Sequence, residues 1–185
     1  MGPRARRRKK TPIPNHPTIK TASGRQLACF PAAVLGFVVD SADRLLLLRK
    51  PGLTGWEVIS GAMEPGESVP EAMIREIGEE AGPRFVSVYL GVIDTFTFIF
   101  DANLPPLVSI CCLMRYRGGE IEPSDDAKDA DFQWWDLSRI DDIDLIVPKG
   151  RWDLLTKAVD LSRYLRDARP DDPRESADPK DSYLF

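Results

Sequence analysis

The stretch GAMEPGESVPEAMIREIGEEAGP, residues 61–83, is the most heavily punctuated run in the chain. Its opening, Gly61 to Glu67, holds two glycines and a proline and predicts a loop. Ser68 followed by Glu71 makes a capping box, in which each side chain satisfies a backbone N–H of a first helical turn. Gly82 then Pro83 close the element, a left-handed residue followed by one that cannot continue a helix. A helix is therefore predicted between Ser68 and Gly82.

On a helix with 100° per residue, Glu79 and Glu80 fall about 60° to one side and 40° to the other of Glu76. The three carboxylates share a face, while Pro70, Met73, Ile74, Ile77 and Ala81 make an apolar stripe able to pack on a sheet. Like charges at this spacing repel by a few tenths of a kcal/mol per pair, roughly. A helix built only for solubility would interleave lysine, and this face has none. Carboxylates gathered at the end of a glycine-containing loop form a hard, oxygen-only ligand set suited to Mg²⁺ or Mn²⁺. Gly78 lies inside the same helix, where glycine costs about 1 kcal/mol relative to alanine. It either permits close packing or is simply tolerated.

Outward from this helix, strands dominate. Ala33–Val39 and Arg44–Arg49 flank the turn Ser41–Asp43 and read as a hairpin, and Trp56–Ser60 reads as a short strand. Past the helix, Val86–Gly91, Val92–Phe100, Leu107–Tyr116 and Asp131–Leu137 follow as further strands. Pro148–Arg166 reads as a second amphipathic helix, with Trp152, Leu155, Val159 and Ser162 on one side. The pattern predicts an α+β protein, a mixed β-sheet flanked by helices.

The stretch 61–83 resembles the Nudix box, Gly-x5-Glu-x7-Arg-Glu-U-x-Glu-Glu-x-Gly-U with U a bulky aliphatic. Every fixed position is filled, and only the last aliphatic departs, as Pro83 beyond the helix. The resemblance implies an α/β/α sandwich and assigns Glu76, Glu79 and Glu80 as metal ligands. Gly61 would lend a backbone carbonyl, Glu67 would support the loop–helix geometry or a second metal, and Arg75 would orient Glu67 through a salt bridge. It implies Mg²⁺ or Mn²⁺ as cofactor and water attack on a phosphoanhydride phosphorus. Glu79 and Glu80 count among the catalytic candidates. Relatives often carry a general base on a loop between later strands, where this chain has Glu120–Asp131; Asp126 is the first choice and Glu122 the second. Arg49, Trp56 and Phe96 are candidates for substrate contact, although aromatics in strands belong to the core more often than not.

Composition sets the remaining bounds. A chain of 185 residues, 43% hydrophobic and 29% charged, is long enough for one globular core. No apolar run approaches membrane-spanning length, and three cysteines neither frame disulfides nor show zinc spacing, so a reducing cytoplasmic setting is expected. Six of the 25 basic residues (Arg4, Arg6, Arg7, Arg8, Lys9, Lys10) fall in the first ten positions, leaving 19 against 29 acids elsewhere. The expected organisation is a basic disordered arm over 1–22, a Nudix domain over 23–168 and a disordered tail over 169–185. A solvated arm is the plain reading, and nucleic-acid contact through it is the sharper one.

Function is expected to be metal-dependent hydrolysis of a nucleoside diphosphate linked to another moiety, by a monomer or a homodimer. The alternative is a Nudix-fold nucleotide- or RNA-binding regulatory module with little catalysis. Against it stand three mutually repelling carboxylates that a pure binder has no need to hold. Subgroup marks do not narrow the substrate. Ile59-Ser60-Gly61-Ala62 stands where coenzyme A-type relatives have Phe-Pro-Gly-Gly, and Ile99 stands near the proline of many ADP-ribose enzymes.

Overall fold

The computed structural model describes residues 17–99, 104–124 and 127–168. The basic run 4–10, His16, Phe100, Asp125, Asp126 and the tail 169–185 lie outside them. The central strand is β3 (Ala32–Val39), and it runs parallel to β8 (Leu107–Gly118) in unbroken register from Ala32↔Val108 to Val39↔Arg115. β7 (Val86–Phe98) pairs antiparallel with β8 at the sheet edge. It is one strand with three register shifts, where sequence alone predicted two.

On its other side β3 forks. Its first half pairs with β6 (Ile59–Ala62), and its end meets β4 (Leu45–Arg49) only at Val39↔Leu45. The predicted hairpin therefore exists only at its closed end. β4 turns instead to β9 (Asp131–Trp135) and to β5 (Trp56–Glu57), which pairs in parallel with β10 (Leu145–Val147). The single strand expected over Trp56–Ser60 is thus two, divided at Val58, where the chain passes from one branch of the sheet to the other. A small hairpin of β1 (Thr18–Lys20) and β2 (Gln26–Ala28) precedes the sheet. Strand structure therefore begins inside the segment 1–22 expected to be an arm.

The four leucines of β4 show why the sheet is covered on both faces. Leu46 and Leu48 join Val34, Met114 and helix α1 (Val69–Glu80), whereas Leu45 and Leu47 join Phe37, Leu113 and helix α2 (Trp152–Ala168). Alternating side chains of each strand feed two separate cores. The result is the α/β/α sandwich, an α+β fold with a mixed sheet between helices. Gly36 lets α1 lie close, because a Cβ there would stand 2.6 Å from Met73 Cε. α2 begins at Trp152, later than Pro148, and its buried face is Leu154, Leu155, Ala158, Val159 and Ser162. Trp152 itself is exposed, a correction to the expected stripe. No helix among the described residues is long and apolar enough to cross a membrane, and Cys29, Cys111 and Cys112 are free thiols.

α2 is also held electrostatically. Asp43 occupies a left-handed position (φ 62°) in the β3–β4 turn and accepts hydrogen bonds from Arg166 and Arg163. These guanidiniums, Arg166 first, hold its carboxyl below the ordinary value of 3.8. A depressed carboxylate adds stability above its unfolded value and loses it as pH falls through the folded one. Asp43→Asn, which tolerates the same backbone, should lower stability by about 0.5–1 kcal/mol near neutrality. In urea titrations the gap from wild type should narrow as pH falls below 3.8; a pH-independent gap would point to turn geometry instead of charge.

Gly78 has nothing within 4 Å of where a Cβ would stand, so it serves no close packing. Gly78→Ala should therefore stabilise by about 0.5–1 kcal/mol through helix propensity, raising Tm by roughly 2–4 °C. A lower Tm by calorimetry would contradict that assignment.

Candidate active site

Helix α1 starts as its sequence requires. Ser68 and Glu71 exchange the reciprocal capping bonds, and Ala81 caps the far end with its N–H on the Ile77 carbonyl. Gly82 follows at φ 99° in a space where a Cβ would strike the Glu122 carbonyl. The carboxylate face and the packing stripe are contiguous, not separate. Glu76 and Glu80 are buried beside Met73 and Ile77, and Glu79 stays open to solvent. Burial raises the pKa of both Glu76 and Glu80, against the pull of Arg75 on the first and Lys50 on the second.

One guanidinium organises the corner between loop and helix. Arg75 donates to Glu67 through Nε (2.7 Å) and Nη2 (3.1 Å), to Glu76 and Glu79 through Nη1 (2.8 and 2.9 Å), and to the Ala62 carbonyl (2.8 Å). Glu67 also accepts the Glu64 N–H (2.8 Å), and these bonds, Arg75 foremost, lower its pKa. The salt bridge expected between Arg75 and Glu67 is present, but Arg75 reaches further than that.

A second cation enters from a residue that sequence reading passed over. Lys50, at the end of β4, places Nζ 2.6 Å from Glu80 Oε1 and 3.6 Å from Glu57 Oε1. Glu80 also accepts the Ser60 N–H (3.1 Å). Lys50 is thus the cation missing from the helix face, supplied by the sheet. Its signal in sequence is faint, one lysine closing an apolar strand.

These groups line an acidic cleft of about 590 Å³ with Ser60, Gly61, Glu64 and Ser124. A Cβ on Gly61 would lie 2.0 Å from the Glu76 carboxylate, so only glycine leaves room for it. The donors are all oxygen, which fits a hard divalent cation. Among the described residues, however, no three acidic groups already converge as a preformed metal site. The physical reason is visible: Glu79 is drawn to Arg75 and Glu80 to Lys50, which holds the carboxylates apart.

A second, largely apolar cavity of about 640 Å³ adjoins the first and shares Ser60, Gly61 and Ala62 with it. Phe96, Phe98, Leu107 and Ile146 form its walls, and Glu57 and Lys149 also line it. Of the three residues expected to touch substrate, only Phe96 lines a cavity. Trp56 is 8% exposed and packs edge-on against Trp135, a core role. Arg49 lies over Trp56 and binds Asp131 (2.6 Å), which leaves it outside both cavities.

The described start of the loop after β8, residues 120–124, is pinned to the end of α1. The Glu122 N–H bonds the Ala81 carbonyl (2.8 Å) and the Ser124 hydroxyl bonds the Glu79 carbonyl (2.7 Å). Ser124 reaches the cleft, but the Glu122 carboxylate pairs with Arg84 and does not line it. Asp126 lies outside the described residues.

Gly61→Ala should keep the fold by circular dichroism yet lower turnover on the order of 10–100-fold, because the Glu76 carboxylate must move by an ångström or more. Unchanged turnover would show that the close approach is incidental.

Comparison with known proteins agrees with this geometry. The NUDIX domain model matches residues 30–155. The uncharacterized Nudix hydrolase YvcI of Bacillus subtilis is 31% identical over 122 residues, covering 63% of this chain and 73% of that protein. An ADP-ribose pyrophosphatase of Methanocaldococcus jannaschii is 31% identical over 123 residues, covering 62% and 68%. A NUDIX-family hydrolase from Clostridium perfringens shares the fold, with TM-score 0.59 at 19% identity over 71% of this chain and 97% of that one. With every fixed position of the box filled and its Gly61, Arg75, Glu76, Glu79 and Glu80 lining one cleft, the chain belongs to the NUDIX domain family, the Nudix hydrolases, enzymes that act on phosphoanhydride bonds.

Proposed function

We propose that this protein is a divalent-metal-dependent hydrolase of a nucleoside diphosphate linked to another moiety. The observation that carries the reading is the junction of the two cavities along Ser60–Ala62. One is acidic and suits a metal-neutralised diphosphate; the other is apolar and suits the uncharged remainder of the molecule. The M. jannaschii relative, named for ADP-ribose, supports this substrate class. Our reading places the enzyme in the cytoplasm, in keeping with its free thiols.

Glu76, Glu79 and Glu80, with the Gly61 carbonyl, are the proposed holders of Mg²⁺ or Mn²⁺, and Glu67 supports them through Arg75. A cation there would neutralise the diphosphate and acidify the attacking water. The chain itself does the positioning. Arg75 donates to one oxygen of Glu76 and one of Glu79, so the freedom of both carboxylates is already restricted. Lys50, paired with Glu80 at 2.6 Å on the wall of the same cleft, would supply a positive charge to the phosphate oxygens of a bound diphosphate. A water oxygen bonds to phosphorus, the bridging P–O bond breaks, and the water's proton passes to a carboxylate. Asp126 remains our proposed acceptor, a carboxylate on the loop where relatives often carry the base.

Turnover, followed by phosphate release across a panel of nucleoside diphosphate compounds, should vanish in excess EDTA and return with Mg²⁺ or Mn²⁺. Glu79→Gln should lower it by at least ~100-fold with the fold intact, since that side chain is 48% exposed. Undiminished turnover in EDTA would defeat the metal-dependent reading, and binding without any turnover would favour a regulatory module.

A further inference from the structure

Glu57 is the buried charge that the reaction just described does not use. It is 7% exposed, in a two-residue strand between Trp56 and Val58, where an apolar side chain would pack at no electrostatic cost. Its Oε1 accepts no hydrogen bond within the described protein. The nearest cation, Lys50, stands 3.6 Å away and is committed at 2.6 Å to Glu80. Burying a carboxylate whose oxygen has one long ion pair and no hydrogen bond is unfavourable unless something else satisfies it. Glu57 lines the apolar cavity, beside the wall shared with the acidic cleft.

Position and chemistry together narrow what could satisfy it. One ammonium bridges Glu57 to Glu80, so Glu57 lies one residue away from a carboxylate of the acidic cleft. With a diphosphate in that cleft, as the proposed function has it, the group nearest Glu57 would be the one attached directly to the phosphate. An ionised carboxylate only accepts, and its two oxygens match two donors on adjacent atoms. A vicinal sugar diol presents such a pair, and a carboxylate is the side chain that dinucleotide-binding folds use for ribose hydroxyls. The ring carried by the sugar lies further from the phosphate, where Phe96, Phe98 and Leu107 offer packing and no acceptor.

We propose that Glu57 accepts hydrogen bonds from the vicinal hydroxyls of the sugar next to the diphosphate, selecting ribo over 2′-deoxy substrates. The inference rests on the hydrolase reading for its substrate class, but it is tested by binding. Nucleoside monophosphates contain no anhydride to cut, so calorimetry with AMP against 2′-deoxyAMP, and GMP against 2′-deoxyGMP, reads recognition without turnover. The wild-type protein should bind the ribo member of each pair at least about tenfold more tightly, the scale of a hydrogen bond to a charged group. Glu57→Ala should bring each pair within about twofold by weakening only the ribo member, and Glu57→Gln, which keeps one acceptor oxygen, should fall between. The deoxy member is the internal control for folding.

Equal affinity within each pair, or no binding of either member, in the wild-type protein overturns the proposal. So does a variant that weakens both members alike, which assigns Glu57 to supporting Lys50, or one that changes the preference between bases instead of sugars. The hydrolase reading fails separately, when no phosphoanhydride in the panel is turned over although the ribo preference persists.

Discussion

The guanidinium of Arg75 spans Glu67, Glu76 and Glu79 and reaches the carbonyl of Ala62, so that loop, helix and strand β6 meet on one charged plane. Its planar fork presents several fixed N–H donors, which a lysine ammonium could not distribute over four acceptors. Without it, three carboxylates would crowd one corner with no counter-charge, two of them within a helical turn. Lys50 performs the same service deeper in the cleft for Glu80, and more distantly for Glu57. The protein thus folds with its acidic cleft already balanced by two of its own cations.

The forked sheet explains how these groups come together. β3 gives its first half to β6 and leaves β4 free to take β5 and β9. Lys50 directly follows β4, Glu57 lies on β5 and Gly61 on β6, while Glu76 to Glu80 descend from α1. The crossing at Val58 brings all of them to one end of the sheet. The helix can descend that far because Gly36 admits Met73 and Gly61 admits the Glu76 carboxylate. At both positions the close approach, not backbone flexibility, is what requires glycine.

Much of this was legible in residues 61–83. The capping box, the Gly82 ending and the carboxylate face are local, set by spacing along a single helix, and the structure has them where the spacing put them. The two-sided core was legible more faintly, in the uninterrupted apolar runs of β3 and β4, which suit strands covered on both faces. Local pattern misled at the places where partners are distant. Trp56 and Arg49 are ordinary candidates for stacking and phosphate contact until β9 delivers Trp135 and Asp131 to occupy them. Glu122 resembles a loop base until Arg84, far back in the chain, takes its carboxylate.

What the sequence determined by itself is the helix α1, its caps, its carboxylates and the family they mark, because each depends on contacts within a few residues. The tertiary structure alone decided which cations face those carboxylates, which aromatics are core and where the apolar cavity lies. Those outcomes depend on a sheet whose neighbours are dozens of residues apart, with a strand pair split at Val58 and a parallel β3–β8 partnership that no short-range pattern encodes. Glu57 belongs wholly to this second group. As a letter between tryptophan and valine it reads as a solvated charge, and only the fold reveals it as a buried carboxylate beside a cavity, with an oxygen that accepts no hydrogen bond among the described residues.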